Sequence, residues 1–402
     1  MSARTVGPLA GAWLVSRAVV LAAAASQLSR PTLFNDPNLL WAWATGTPFG
    51  TDTDPALAEY PGAARLLALS GRLAATPEVF GWGWIAAMLV VDGAILVLVT
   101  REGRRGGWLW VVGGAALGPV LWLRYDLVVG LLVVLALTLR DKRPTWSGVA
   151  LGLAVLLKLW PLVLVAALLP RTRWRPWATA AAATVGAGAV LELLVRGPQS
   201  LLAPLTYQSD RGVQIESLVA TPTLIARRAD DPEQVWEFAF RAFQLQDSNG
   251  TLATFVAVVV LVTAGMAVLT ATHRSAPARL GGMRAAGASL MAVLMVATNS
   301  VFSPQYVMWF LPLVAMLAAR DRVDGALSRA VVAVSVVVAA LTQVVWPWNY
   351  SDLLALQGWA LAVVAARNLL VLVLAVLLAA RTWQLLQTTA GPAHPARNES
   401  RT

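Results

Sequence analysis

Apolar runs make up most of the chain, separated by short basic connectors and by two long polar stretches. A helix that crosses a membrane needs about 20 apolar residues. Eight runs suit single helices, at residues 9–28, 79–100, 177–195, 251–272, 285–302, 306–319, 327–346 and 354–380. Two more runs contain charged breaks, residues 108–139 and 146–170; we interpret the first as a tight hairpin and the second as a hairpin or one kinked helix. This pattern predicts about 10–13 membrane-spanning helices, with twelve if both broken runs are pairs.

The basic residues predict how these helices are oriented. Lys and Arg cluster in the short connectors, for example at residues 140–143, and an excess of these residues is typical of cytoplasmic connectors. With both termini in the cytoplasm, the polar stretches at residues 29–78 and 196–250 fall outside the cell. We therefore expect a multi-pass protein of the cell membrane, with one transmembrane domain over residues 1–384 and a disordered cytoplasmic tail over residues 385–402.

The composition agrees with a membrane protein and excludes several functions. Of the 402 residues, 58% are hydrophobic and 13% are charged, whereas soluble domains carry about 25% charged residues. We predict an all-α polytopic membrane protein whose first partner is the lipid membrane. The chain has no cysteine, and His273 and His394 lie in basic or tail segments, which argues against histidine metal sites and against the catalytic histidine of a membrane acyltransferase. The net charge of +10 is spread over the connectors, so we expect no nucleic-acid partner.

Motifs that bind nucleotides are absent from the sequence. There is no Gly-x-Gly-x-x-Gly after a strand and no Gly-Lys-Ser/Thr phosphate loop. Asp52-Thr53-Asp54 imitates the Asp-x-Asp metal motif of nucleotide-sugar transferases, but that motif needs a soluble βαβ domain, and the chain has no such pattern. We expect no cofactor, and the acidic first polar stretch leaves a divalent metal as an open alternative.

The first polar stretch places a carboxylate, Asp36, shortly after the first apolar run. A carboxylate at the membrane boundary can take a proton from a hydroxyl group, and its ordinary pKa of about 3.9 would keep it ionised when it faces water. Trp41 and Tyr60 can hold a sugar or lie at the lipid boundary, and Glu59 is a second nearby carboxylate. The structural alternative is that residues 35–37 only cap a helix.

Four basic residues lie inside or beside the apolar runs. Arg17, Lys158 and Arg367 are embedded, and Arg124 lies near a boundary. Charges inside membrane spans are costly and indicate function by default, and a lipid phosphate would supply the missing negative charge. Two alternatives stay open: Arg17 and Arg124 extend to the membrane surface, or some of these bases pair with acidic residues of other spans, such as Asp92.

Two further segments gather polar residues on the outer side. Residues 207–217 alternate acids, amides and a guanidinium group, and residues 299–309 place hydroxyls, amides and aromatic rings at a helix break. A broken helix at membrane depth persists only where it is buried in protein or faces water. The structural alternatives are an interfacial helix with internal ion pairs for the first segment, and an ordinary helix that begins at a proline for the second.

Together these segments resemble a known enzyme family. The motifs are Asp36 with Gly46-Thr47-Pro48-Phe49 and Glu59-Tyr60-Pro61, Arg124-Tyr125-Asp126, Lys158-Leu159-Trp160-Pro161, residues 210–217 and Ser303-Pro304-Gln305-Tyr306. Each motif is short, but their order and shared side resemble the polyprenol-phosphate-sugar-dependent glycosyltransferases of the C superfamily (GT-C). Within it the chain is similar to glycosyltransferase family 87, which includes actinobacterial α-mannosyltransferases. One departure is Gly62, which follows Tyr60-Pro61 where a second proline is common.

The resemblance implies a GT-C-type bundle and an inverting sugar transfer at the extracytoplasmic face. The implied donor is a polyprenyl-phosphate sugar, with mannose as the hexose and arabinose as the alternative, and the acceptor is a glycolipid or lipoglycan. The general base would be Asp36. We expect the donor phosphate to be bound by Lys158, Arg211, Arg367, Arg124 and Arg17. We expect the sugar and acceptor to contact Trp41, Glu59, Tyr60, Asp126, Asp210, Gln214, Glu216, Gln305 and Tyr306.

A transporter or flippase of lipid-linked sugars is the competing interpretation. In that case Arg17, Asp92, Glu192 and Arg367 would line a translocation path. Many transporters are built from inverted repeats, and we find no convincing repeat in this sequence. The polar residues also concentrate on one side of the membrane, so the enzyme is the favoured interpretation.

Overall fold

A computed structural model describes residues 3–28, 35–46, 67, 69–169, 172–321 and 325–387. The helices of this part of the chain are α1 Ala3–Leu28, α2 Asp36–Thr45, α3 Pro77–Glu102, α4 Arg104–Leu117, α5 Val120–Leu123, α6 Asp126–Leu139, α7 Pro144–Leu157, α8 Val165–Leu168, α9 Trp174–Arg196, α10 Gln199–Ser209, α11 Thr221–Ala226, α12 Pro232–Val235, α13 Thr251–Arg274, α14 Leu280–Thr298, α15 Val307–Arg320, α16 Ala326–Gln343, α17 Tyr350–Leu354 and α18 Gly358–Gln387. A small antiparallel hairpin pairs β1 Trp236–Ala239 with β2 Ala242–Leu245.

Seven helices among the described residues are long and apolar enough to cross a membrane. They are Gly7–Ser26, Pro77–Glu102, Trp174–Arg196, Thr251–Arg274, Pro277–Thr298, Ala326–Trp348 and Gly358–Gln387. Two shorter apolar helices, Asp126–Leu139 and Pro144–Leu157, come from the broken runs. These elements confirm an all-α polytopic membrane protein. The count of twelve spans stays a prediction. The tail was predicted to begin at residue 385, but α18 continues to Gln387, and the rest of the tail lies outside the described residues.

In the structure, the helices of both broken runs are interrupted at the charged residues, as the sequence predicted. In the first, helix α6 starts at Asp126 after an extended Arg124, and it packs against α3, α7 and α15. In the second, α7 ends at Leu157, Lys158 is extended, and a 3-10 turn over Trp160–Leu164 leads into α8. A proline cannot donate the backbone hydrogen bond that a continuous helix needs, so Pro161 fits the first turn of the new segment.

Several basic connectors lie close together at one end of the bundle. Three ion pairs join these connectors: Arg320 with Glu102, Arg284 with Asp141, and Arg381 with Asp321. We call this the basic end. The opposite end carries α2, the two helix breaks and the second polar stretch, and it holds the candidate site.

Helix α15 lies at the centre of the bundle, since every residue from 307 to 317 is buried. The outer helices instead expose apolar side chains: on α13, Leu252 is 73% and Phe255 is 66% exposed. An exposed apolar face of this size suits contact with lipid.

The second polar stretch folds over the break that precedes α15. The backbone N–H of Gln214 donates to the carbonyl of Ser300 at 2.9 Å, and that of Leu245 donates to the carbonyl of Val213 at 2.8 Å. A separate hydrophobic cluster fastens the stretch to α17 and α18 and includes Ile215, Leu224, Val235, Leu353 and Leu361. Helix α10 ends at Ser209, so residues 211–214 are extended chain rather than part of an interfacial helix.

Candidate active site

Asp36 occupies the first position of α2, but it does not cap the helix. The cap is Asn35, whose side-chain oxygen accepts from the N–H of Asn38 at 2.9 Å. The Asp36 carboxylate instead accepts from Arg124 Nη1 at 3.0 Å and from the backbone N–H of Tyr125 at 2.8 Å. Residues 35–37 therefore do begin a helix, as the structural alternative predicted, but the cap is Asn35 and the Asp36 carboxylate makes other contacts.

Burial changes the acid strength of Asp36. The side chain is 1% exposed rather than facing water, and loss of solvent raises the pKa of the carboxyl above its ordinary value. Arg124 and the N–H of Tyr125 act in the opposite direction and favour the ionised form. The expectation of a water-facing carboxylate with an ordinary pKa is thus corrected.

Asp126 is a second buried carboxylate beside the first. It accepts from Lys158 Nζ at 2.8 and 3.0 Å, one contact to each oxygen, and from Trp309 Nε1 at 2.6 Å. The Lys158 ammonium also lies 5.1 Å from the ring of Tyr125 and 5.5 Å from that of Tyr306. Because α6 begins at Asp126 and α7 ends before Lys158, the two helix breaks are what bring these opposite charges together.

Aromatic rings form one side of the site. Trp309 stacks on Trp160, with 5.2 Å between ring centroids and 9° between planes, and on Tyr306, with centroids 3.7 Å apart. The 3-10 turn at Trp160 and the break before α15 place this stack next to Asp126, which accepts a hydrogen bond from Trp309. Flat aromatic surfaces next to polar groups can hold a sugar ring.

These elements enclose a cavity of about 450 Å³. Its polar lining includes Asn35, Asp36, Arg124, Asp126, Lys158, Gln208, Arg211, Arg241, Asn299, Ser300, Gln305 and Tyr306. Its apolar lining includes Leu205, Val258, Leu261 and Met295 from α10, α13 and α14. The cavity therefore joins two carboxylates and four cationic side chains to an aliphatic wall.

Neutral side chains of the lining include buried polar atoms that have no hydrogen-bond partner among the described residues. They are Asn35 Nδ2, Trp160 Nε1 and Gln305 Oε1. Leaving such groups unsatisfied is costly, so each needs an explanation. Two donors and one acceptor on residues that line one cavity match the hydrogen-bonding capacity of sugar hydroxyl groups.

Predicted phosphate-binding residues divide into two groups. Lys158, Arg211 and Arg124 line the cavity, and Arg211 is buried with its guanidinium 5.7 Å from the ring of Tyr207. Arg17 lies elsewhere, because its guanidinium contacts both oxygens of Asp92 at 2.7 and 3.0 Å. The alternative that a base pairs with an acid of another span is confirmed for Arg17.

Arg367 is also held away from the cavity. It contacts the Glu216 carboxylate at 3.0 Å and lies 4.0 Å from the ring centroid of Phe302. Both charged side chains are 0–1% exposed. The pair joins α18 to the second polar stretch, which gives it a role in holding that stretch in place.

The predicted sugar-binding residues are likewise dispersed. Asp126, Gln305 and Tyr306 line the cavity, whereas Trp41, Asp210, Gln214 and Glu216 are not among its lining residues. Glu59 and Tyr60 lie outside the described residues, as do Asp52 and Asp54. Among the described residues no group of three or more His, Asp or Glu side chains could hold a metal ion.

Arg241 is a lining residue that was not predicted from the sequence. It lies at the turn between β1 and β2, where its φ of 56° is unusual for a residue other than glycine. The alternation of aromatic and polar residues over positions 236–245 is the signal that could have predicted this hairpin.

Comparison with known proteins identifies the family. No curated protein and no solved structure matches the chain. The model of glycosyltransferase family 87 matches residues 59–304, which is more than half of the chain and includes both helix breaks, Arg211 and Arg241. The chain therefore belongs to glycosyltransferase family 87 and is a membrane glycosyltransferase.

Proposed function

We propose that the enzyme transfers a hexose, mannose in the first instance, from a polyprenyl-phosphate sugar to a glycolipid or lipoglycan acceptor. The observation that carries this proposal is the content of one cavity, where Asp36 lies with Arg124, Lys158, Arg211 and Arg241 beside an aliphatic wall. A transfer from a lipid phosphate needs a base, cations and an apolar surface, and the cavity supplies all three.

The aliphatic wall supports a donor that enters from the membrane. Val258 and Leu205 line the cavity and are also 54% and 53% exposed. The cavity thus continues to the lipid-facing side between α10 and α13. A polyprenyl chain lying along this opening would leave its phosphate at the cationic side chains, without drawing a charged group through hydrocarbon.

The proposed reaction is a single displacement. Asp36 accepts the proton of the acceptor hydroxyl as that oxygen attacks the anomeric carbon from the face opposite the phosphate. The bond between the anomeric carbon and the phosphate oxygen breaks, and polyprenyl phosphate leaves with both electrons of that bond. A β-linked donor then gives an α-linked product. Lys158 and the arginines stabilise the negative charge on the leaving phosphate.

Asp36 is preferred to Asp126 because of how the two carboxylates are held. Asp126 accepts three hydrogen bonds from Lys158 and Trp309, so both of its oxygens are engaged by other side chains. For Asp36, burial raises the pKa of the carboxyl. A raised pKa favours proton acceptance near neutral pH.

The substrates can be identified directly. Membranes that contain the enzyme are incubated with radiolabelled polyprenyl-phosphate mannose or polyprenyl-phosphate arabinose and a panel of glycolipid acceptors. We expect label to pass from the mannose donor to a glycolipid. Transfer from the arabinose donor alone would replace the sugar in this proposal, and transfer only from a nucleotide sugar would overturn it.

Binding of the donor phosphate should depend on the two arginines of the second polar stretch that line the cavity. Replacing Arg211 or Arg241 with Gln removes a charged hydrogen-bond donor, so donor binding should weaken by about 1.5–3 kcal/mol. Arg228→Gln is the matched control, because Arg228 is exposed in the same stretch and does not line the cavity. Donor affinity is measured by titration of purified enzyme, and equal loss in the control would remove the proposed phosphate contact.

The pH dependence should show the raised pKa of Asp36. The base must be ionised, so the rate falls as pH decreases through this pKa. Because burial raises the pKa, this acidic limb of the pH–rate profile should lie above pH 3.9, about the ordinary pKa of an Asp carboxyl. Arg124→Gln removes the largest influence that lowers the pKa, so the limb should move to still higher pH. The measurement is kcat/KM against pH for both proteins. A limb that moves to lower pH would contradict the assignment.

The orientation in the membrane remains part of the proposal, with both termini in the cytoplasm and the cavity outside. The chain has no native cysteine, so single cysteines can be labelled cleanly. We expect a membrane-impermeant thiol reagent to label Asp230→Cys in intact cells, and to label Lys142→Cys only after the cells are opened. The reverse result would place the cavity on the cytoplasmic side.

A further inference from the structure

A second cavity lies at the basic end, far from the carboxylates of the candidate site. It has a volume of about 420 Å³ and lies between α4, α15, α16 and α18. Its floor is almost entirely aliphatic and includes Val112, Val314, Val332 and Val336. We call it the basic-end groove.

The rim of the groove is strongly basic. Among the described residues, Arg105, Arg329 and Arg381 line it together with one carboxylate, Asp321, so these four side chains carry a net charge of +2. Asp321 is already occupied within the protein, since it contacts Arg381 and accepts from Ser328 Oγ at 2.5 Å. The rim therefore favours an anion.

Arg381 gives an independent sign of a missing ligand. The side chain is only 5–6% exposed, it lines the groove, and its Nε has no hydrogen-bond partner among the described residues. A buried guanidinium donor without a partner costs about 1–3 kcal/mol. A phosphate oxygen at the rim would satisfy it.

The groove also opens toward the membrane. Trp108 and Val112 line it and are 36% and 48% exposed. Along α16 it extends from Arg329 to Val336, seven residues that span about 10 Å at 1.5 Å per residue. A basic rim above an aliphatic channel of this depth matches a phosphate headgroup above the first part of an acyl chain.

We propose that the basic-end groove binds one anionic glycerophospholipid of the adjacent leaflet. The phosphate lies among Arg105, Arg329 and Arg381, and an acyl chain runs along the valines of the floor. The aliphatic floor favours a lipid over a soluble phosphate, and the net charge favours an anionic over a zwitterionic headgroup. This site is separate from the proposed donor cavity and does not depend on the sugar that is transferred.

Native mass spectrometry of the purified full-length protein tests the proposal. The protein is titrated with phosphatidylglycerol and with phosphatidylcholine of the same acyl chains. We expect phosphatidylglycerol to bind at about tenfold lower concentration, and the double variant Arg105→Gln, Arg329→Gln to lose about tenfold in that affinity. Both arginines are exposed, so the variant should fold normally.

The matched control is the double variant Arg104→Gln, Arg279→Gln. Both residues are exposed at the same end, do not line the groove, and give the same change in net charge. The control should keep wild-type lipid binding. Equal loss in the control, or equal binding of the two lipids, would overturn the proposal.

A third variant tests the acyl chain. Ala333 lines the groove, so Ala333→Trp should fill the floor and weaken phosphatidylglycerol binding while leaving every charge in place. Unchanged binding in this variant would overturn the lipid assignment. Displacement of the lipid by glycerol phosphate at similar concentration would do so as well, in favour of a soluble phosphate.

Discussion

Asp36→Asn should lower the rate of sugar transfer by about 10²–10⁴-fold, while the protein still folds and binds donor. The substitution removes the proton acceptor and keeps the size of the side chain. Asn35 rather than Asp36 caps α2, so the start of the helix is unaffected. The amide oxygen can still accept a hydrogen bond from Arg124 or from the N–H of Tyr125.

The measurement is turnover by purified Asp36→Asn enzyme that is shown to bind donor. Asp230→Asn is the matched control, because Asp230 is an exposed carboxylate in the second polar stretch and is not a lining residue of the cavity. The control should retain full activity. If Asp36→Asn keeps turnover within about threefold of the wild type, the effect is smaller than that of a general base, and Asp126→Asn becomes the next variant to test.

The helix breaks were the most predictable part of the site. Charged residues and prolines interrupt apolar runs at Arg124–Asp126, Lys158–Pro161 and Ser303–Gln305. Such interruptions are unfavourable in hydrocarbon, so they persist where protein or water surrounds them. The structure places all three at one cavity. The energetic cost of placing these residues in hydrocarbon could be predicted from the sequence. It indicated the end of the bundle at which chemistry could occur.

The partners of the buried charges were not predictable in the same way. Arg17 pairs with Asp92, 75 positions away, and Arg367 pairs with Glu216, 151 positions away. Hydropathy indicates that an embedded arginine needs a counter-charge, but it does not indicate whether a ligand or another helix supplies it. Asp92 lies on α3, and α1 and α3 both pack on α4, whereas Glu216 lies in the second polar stretch, whose α11 packs on α18. Only this tertiary packing brings the paired segments within reach.

The hairpin in the second polar stretch was missed for a different reason. Its strands have four residues each, and isolated hairpins of this size depend on surrounding contacts. Here β2 is stabilised by Val213 and by Tyr350, whose ring lies 5.9 Å from that of Phe243. Local propensity was therefore too weak to place Arg241 at the cavity, although Arg241 is one of the four cations of the site.

Arg367→Gln should destabilise the protein by about 3–5 kcal/mol, which is typical when one partner of a buried ion pair is removed. Glu216 would be left without its partner, and both side chains are almost completely buried. Burial already raises the pKa of Glu216, and Arg367 is the largest influence that lowers it. Without Arg367 the carboxyl should take up a proton at higher pH, so the loss of stability should shrink as pH falls.

Thermal unfolding in detergent, at two pH values, measures this effect. The double variant Glu216→Gln, Arg367→Gln removes both charges and should lose less stability than the sum of the single variants. Arg196→Gln is the control, because the Arg196–Glu192 pair is more exposed and separated by 3.8 Å, so its loss should cost less than about 1 kcal/mol. Folded Arg367→Gln protein should bind donor normally. Wild-type stability together with weakened donor binding would instead place Arg367 at the phosphate, as the sequence first suggested.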